Sequence, residues 1–309
     1  EDINQGIQKS WQSPKYDDFR NNLDDYLNNK DKICWQCNML EKNGGISLRT
    51  ETPLITDSPE LKAIQFKLSN RCQLVCAHCG PNLSSSWGKF VGQKNYIKQF
   101  EIKDHVLDEL KTLVPQMNFI RFTGGEPWMD PMHWKILKFL KGIDKKNCEL
   151  HYITNGLSTI RPELWEGWKK IQIMLSVDGF GASYEWFRRQ ALWKNLLQAY
   201  ENLSKHPNVK LKINFSLTPW TVDSLASAKE YFQNPFLVVP IMSPWHCSLG
   251  SLTEDEYNNL GLTKYVEYSK IIGSNPKGAK YLKTWALSWD NRWNTPGLAE
   301  KVHPWLNKI

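Results

Sequence analysis

From residue 61 onward the chain alternates between short apolar runs and segments with a helical period. The runs are Ala63 to Ser69, Phe119 to Thr123, Leu150 to Thr154, Ile171 to Val177, Val209 to Leu217 and Phe236 to Met242. Their brevity and β-branched content predict buried strands. Between them, Glu101 to Leu113 sets Ile102, Val106, Leu110 and Leu113 on one helical face, and Ala191 to Leu203 does the same with Leu192, Leu196, Tyr200 and Leu203. Pro131 to Leu140 opens with proline in the first turn, and Thr221 is placed to cap a helix running to Phe232. Strands alternating with helices predict an α/β fold with parallel pairing and right-handed crossovers.

The predicted strands all end in unusual residues. After the first comes the cysteine loop, Arg71 to Gly80. The others lead into Thr123-Gly124-Gly125-Glu126-Pro127, Thr154-Asn155-Gly156, Ser176-Val177-Asp178-Gly179, Thr218-Pro219-Trp220 and Ser243-Pro244-Trp245. In a parallel barrel the carboxyl ends of the strands open on one face, where ligands bind. Glycines and polar residues placed by chance would fall at both ends. Gly124 and Gly125 predict a turn without Cβ atoms, so that main-chain groups approach a ligand closely.

Cys72, Cys76 and Cys79 stand at C-x3-C-x2-C spacing in RCQLVCAHCG. Thiolates this close in sequence converge on one metal centre with little loop-closure cost. Apolar filler cysteines rarely adopt ligand spacing, and structural zinc wants a fourth ligand that does not follow nearby. A 4Fe–4S cluster held by three thiolates leaves one iron open for a substrate or cofactor. That is the favoured reading. Cys34 and Cys37 form a C-x-x-C that reads as half of a zinc or cluster site, since no thioredoxin-like pattern surrounds it. Cys148 reads as a core filler. Cys247, past the sixth strand, is a candidate cluster ligand or hydrogen-atom relay, with an inert thiol preferred.

Composition adds limits. The 309 residues suit a barrel plus appendages, and 41% hydrophobic content supports a packed core. Net charge is +7, but the lysines are dispersed among acids, so nucleic-acid binding stays a minor hypothesis. No signal segment or apolar run near twenty residues stands out, and free thiols fit a reducing compartment. A cytoplasmic protein without a membrane partner is expected. Residues 1–60 are polar, with an amphipathic stretch from Pro14 to Leu27 (Tyr16, Phe19, Leu23, Leu27). Residues 251–309 read as a helical extension with a capping box at Thr253 and Glu256 and recurring tryptophans, Trp285, Trp289, Trp293 and Trp305. Asp290 and Arg292 are expected at the barrel mouth.

The cysteine motif after a strand resembles the signature of the radical S-adenosylmethionine (SAM) enzymes. The resemblance implies a partial (β/α)6 TIM-like barrel over residues 61–250. It implies an open iron that chelates SAM, reductive cleavage to a 5′-deoxyadenosyl radical, and hydrogen abstraction from a substrate. The Gly124-Gly125-Glu126-Pro127 turn resembles the family motif that holds the methionine amino group, with Glu126 accepting from the ammonium. Ser176 and Asp178 resemble ribose contacts, with Asn155 contributing nearby. Arg188 falls where many members carry an arginine against the SAM carboxylate, with Arg189 as its competitor, and His78 where a ring sits beside the adenine.

KSWQSPKYDDFR, CWQC and EKNGGISLR resemble the N-terminal "twitch" region of one subgroup, which binds an auxiliary iron–sulfur cluster. Cys34 and Cys37 match that pattern, and their expected partner pair would precede Glu1. Twitch-bearing relatives often modify peptides, so a peptide or protein substrate is expected, with an electron donor such as flavodoxin or ferredoxin. The alternatives are a tRNA- or nucleoside-modifying relative and a non-catalytic metal-binding interaction protein.

Overall fold

The computed structural model describes residues 3–29, 31–42, 44, 46–47, 49–50, 60–262 and 276–309. Six strands form one sheet: β1 (Ala63–Lys67), β3 (Phe119–Thr123), β4 (Lys145–Thr154), β5 (Trp168–Ser176), β7 (Val209–Leu217) and β8 (Phe236–Pro240). All neighbours are parallel and follow one another in chain order. A doubly wound sheet reverses its order at a switch point, whereas a sheet wound in one direction is the wall of a barrel. Among the described residues β1 and β8 are the edges of this six-stranded sheet, so the wall stays open. The fold is a partial (β/α)6 barrel.

Helices join the strands and pack on one sheet face. Asp104–Leu113 buries Val106, Leu107, Leu110 and Leu113, and Pro131–Phe139 buries His133, Trp134, Ile136 and Leu137. Their buried faces belong to one apolar core with strand positions such as Ile120, Phe122, Leu150, Ile171, Ile173, Ile213 and Phe215. Asp130 caps the second of these helices by accepting from Met132 N, with Pro131 in its first turn. Two further strands, β2 (Val75–Cys76) and β6 (Arg188–Arg189), pair antiparallel outside the main sheet.

Some local expectations change. The stretch Pro14 to Leu27 is two short helices, Pro14–Asn21 and Leu23–Asn28, because Asn22 leaves helical geometry at φ −118°; neither helix buries a residue. Thr221 caps nothing. Its hydroxyl donates to Ser216 O at 2.7 Å and accepts from Thr218 N at 2.9 Å, and the helix begins later, at Leu225–Tyr231. The Thr253–Glu256 capping box forms and starts the helix Glu254–Leu260. Asp290, on the helix Ala279–Arg292, is buried rather than at a mouth, while Arg292 is exposed at that helix's end. Cys148 is a buried core thiol in β4. Asn43, Gly45 and Leu48 of the twitch-like stretch lie outside the described residues. No helix among the described residues is long and apolar enough to cross a membrane.

Candidate active site

The cysteine loop leaves β1 at the carboxyl edge of the sheet and is held by its own sequel. Ser85 Oγ accepts from Cys72 N at 3.1 Å, Ser86 Oγ donates to Cys72 O at 2.9 Å, and Ser84 Oγ donates to Leu74 O at 2.6 Å. Trp87 Nε1 donates to Cys76 O at 2.8 Å, and the His246 ring nitrogen lies 3.0 Å from Ala77 O. In the β2–β6 ladder Cys76 faces Arg188 and Val75 faces Arg189. The cysteine backbone is therefore fixed from several sides.

Cys72 and Cys76 are buried and Cys79 half-buried, all as free thiols. A hydrogen bond with Cys79, then burial, holds the Cys76 thiol well above its ordinary range; burial, then Cys76, pushes Cys72 up to about 12. Among the described residues no three His, Cys, Asp or Glu side chains converge tightly enough for a single metal ion. A cubane is wider than an ion and takes thiols at separate corners. Three thiols on one short loop, without a fourth, fit that donor set.

The Gly124–Glu126 turn packs on this loop. Gly125 N donates to Ser69 O at 3.0 Å and Glu126 N to Arg71 O at 2.6 Å. A Cβ on Gly125 would lie 2.2 Å from Arg71 O, and one on Gly124, at φ +127°, 2.9 Å from Ser69 O. The close approach these glycines permit is to the backbone leading into the cysteines. Glu126 is buried, and its carboxylate accepts from Trp128 N (3.2 Å), Thr154 Oγ1 (2.7 Å) and Asn155 N (2.8 Å). Burial raises its pKa to about 7 against those donors.

Of the remaining predicted residues, Asn155, Asp178, Arg188 and His78 gather here. Asn155 Nδ2 lies 3.8 Å from Cys72 Sγ and 3.3 Å from Gln73 Oε1. Arg188 closes on Asp178 at 2.6 Å, and Asp178 also accepts from Ser216 N at 2.8 Å. His78 stacks on Phe187 with ring centroids 5.1 Å apart, its Nδ1 3.9 Å from Asp178. Ser176 ends β5 on the sheet face opposite the helices, in register with Asn214. Arg189, the competitor of Arg188, pairs instead with Asp290 at 2.9 Å. Cys247 is fully buried, its thiol raised by burial and then by Cys79. Cys34 and Cys37 are half-buried, at the start of the helix Trp35–Lys42, and no third ligand joins them among the described residues.

Residues 66–225 match the family model described as the radical SAM superfamily. The chain belongs to that superfamily. Radical SAM cyclopropyl synthase TigE of Paramaledivibacter caminithermalis is 25% identical over 169 residues, 50% of this chain and 35% of its own length. This chain thus spans about a third of that relative. GTP 3′,8-cyclase of Aliarcobacter butzleri is 24% identical over 71% of this chain and 68% of its own. Streptococcus suis SuiB bound to S-adenosylmethionine aligns over 55% of this chain and 37% of its own, at 15% identity and TM-score 0.41. SuiB bound to the precursor peptide SuiA aligns over 84% and 50%, at 13% and 0.42.

Several residues that hold this candidate site carry only weak signals in the sequence. Ser84, Ser85, Ser86 and Trp87 brace the cysteine loop, and a serine run directly after a ligand loop was the available signal. Gln73, inside the motif, binds Asn155. Thr154 reads in the sequence only as a strand end, and its contact with Glu126 emerges from the fold; Arg189, expected as the competitor of Arg188, pairs with Asp290 instead.

Proposed function

We propose that this chain holds a 4Fe–4S cluster on Cys72, Cys76 and Cys79 and binds SAM against the same face. The bound cluster would supply reductive cleavage of SAM with one electron from an outside donor, and the resulting 5′-deoxyadenosyl radical would take a hydrogen atom from the substrate. The observation that carries the reading is the contact of the Gly124–Glu126 turn with the three-thiol loop, within a chain of this superfamily. Glu126 would receive the SAM ammonium as a charge-assisted acceptor, and Asn155 would orient the ligand beside Cys72. Asp178 already holds Arg188, so Arg188 reaches an outside carboxylate only with that pair as its anchor. Ser176 and His78 complete the proposed SAM contacts at the ribose and the adenine.

A peptide or protein substrate is the first reading, supported by the twitch-like pattern around Cys34 and Cys37, which would hold part of an auxiliary cluster. The second reading is a nucleotide, favoured by the match to a GTP 3′,8-cyclase over 71% of the chain. The deciding experiment supplies perdeuterated peptide or nucleotide pools to the reduced enzyme with SAM. Deuterium entering 5′-deoxyadenosine from one pool identifies the class; none from either, despite SAM cleavage, would remove both readings.

A further inference from the structure

Residues paired across a parallel ladder point to the same side of the sheet. Gln65 pairs with Arg121, Arg121 with His151, His151 with Gln172, and Gln172 with Lys210. This row runs across five strands on the face away from the helices. Two residues nearer the carboxyl ends, Lys67 pairs with Thr123, and Met174 pairs with Ile153 and Lys212. Closed parallel barrels fill this inner face with branched apolar side chains. Here it carries Lys67, Arg121, Lys170, Lys210 and Lys212 against a single acid, Glu149. Glu149 is already engaged by His151 at 2.9 Å and Lys170 at 3.5 Å.

Arg121 is the outlier. It is 4% exposed, its Nε has no hydrogen-bond partner, and among the described residues no carboxylate lies in ion-pair range. Its guanidinium lies 5.0 Å from the Phe119 ring centroid, and the neighbouring His151 also has an unpartnered Nδ1. Buried guanidinium groups are normally paired, because desolvating the charge is unfavourable without a counter-charge. Arg121 precedes Gly124 by three residues, about 10 Å along the strand. Lys67 spans the interval, with its Cγ 3.3 Å from where a Cβ on Gly124 would lie.

We propose that Arg121, with Lys67 above it on this inner face, forms a site for an oxyanion carried by the substrate. A carboxylate and a phosphate share the geometry a guanidinium fork recognises. The subsite deepens the radical SAM reading by adding a charge requirement: neutral analogues would leave Arg121 buried and unpaired, and would be rejected. The placing of the reacting atom rests on that reading. The anion site itself is tested separately.

The test is calorimetric titration of anaerobically reconstituted enzyme with pyrophosphate and, separately, glutarate. The wild type should bind at least one, and the stronger of the two tells phosphate from carboxylate. Arg121→Met should weaken that binding tenfold or more while melting no lower than wild type, since it removes an uncompensated buried charge. Lys67→Met, at an exposed position, should weaken it less. A wild type that binds neither anion, variants that bind as tightly as wild type, or a marked stability loss in Arg121→Met would overturn the proposal. Iron content and SAM cleavage by the wild type are read in parallel, so failure of the radical SAM reading is seen on its own.

Discussion

Arg188 grips Asp178 at 2.6 Å with both groups sealed from solvent, while its backbone pairs with Cys76. One residue thus ties the barrel wall to a proposed cluster ligand. Asp178→Asn keeps the shape but leaves a buried guanidinium uncompensated. The loss should be about 3–5 kcal/mol in urea unfolding, with lower iron content in the purified protein. An unchanged midpoint would show the pair to be dispensable.

The next ion pair anchors the C-terminal helices. Asp290 accepts from Arg189 (2.9 Å), Trp186 Nε1 (2.8 Å) and Ala299 N (2.5 Å), joining the helix Ala279–Arg292 to the strand behind the cysteines. Asp290→Ala should cost about 3 kcal/mol or more and expose the tail to limited proteolysis before the barrel is cut. Simultaneous cutting of both would contradict this coupling.

Glu126 sets a pH dependence. Its folded pKa stands at about 7 against an ordinary 4.5, chiefly through burial. The folded chain therefore holds the proton more tightly than the unfolded chain. The stability this adds is full below about pH 4.5 and is lost as pH rises through about 7, an effect of about 3 kcal/mol. Between pH 5 and pH 8 the wild type should lose more stability than Glu126→Gln, which does not titrate. Equal slopes would contradict the assignment.

Cys247 is buried near Cys79 yet outside the motif. Cys247→Ala should retain wild-type iron and sulfide and cost about 1 kcal/mol from the small cavity. A drop in iron would instead make it a ligand.

Much of the barrel was legible. β3 and β7 begin and end where the apolar runs do, at Phe119–Thr123 and Val209–Leu217. β4 starts earlier, at Lys145, because its polar first half has a register shift between Lys145 and Glu149 that breaks the alternation. The cysteines, the glycine turn and Asn155 could be placed together because each follows a strand in a parallel sheet. The Arg189–Asp290 pair could not, since its members lie 101 residues apart and nothing local marks either as buried. The charged inner face was equally hidden: Lys210 reads as a solvated polar position until the register carries the row from Arg121 through His151 and Gln172 to it.

The central claim is most directly tested by iron, sulfide and 5′-deoxyadenosine measured on anaerobically prepared wild type and Cys76→Ala under strong reductant. The wild type should carry about four irons and four sulfides on the cysteine loop and form 5′-deoxyadenosine from SAM, while Cys76→Ala should lose the cluster and form none. A Cys76→Ala protein with undiminished 5′-deoxyadenosine, or a colourless wild type holding zinc without sulfide, would contradict it.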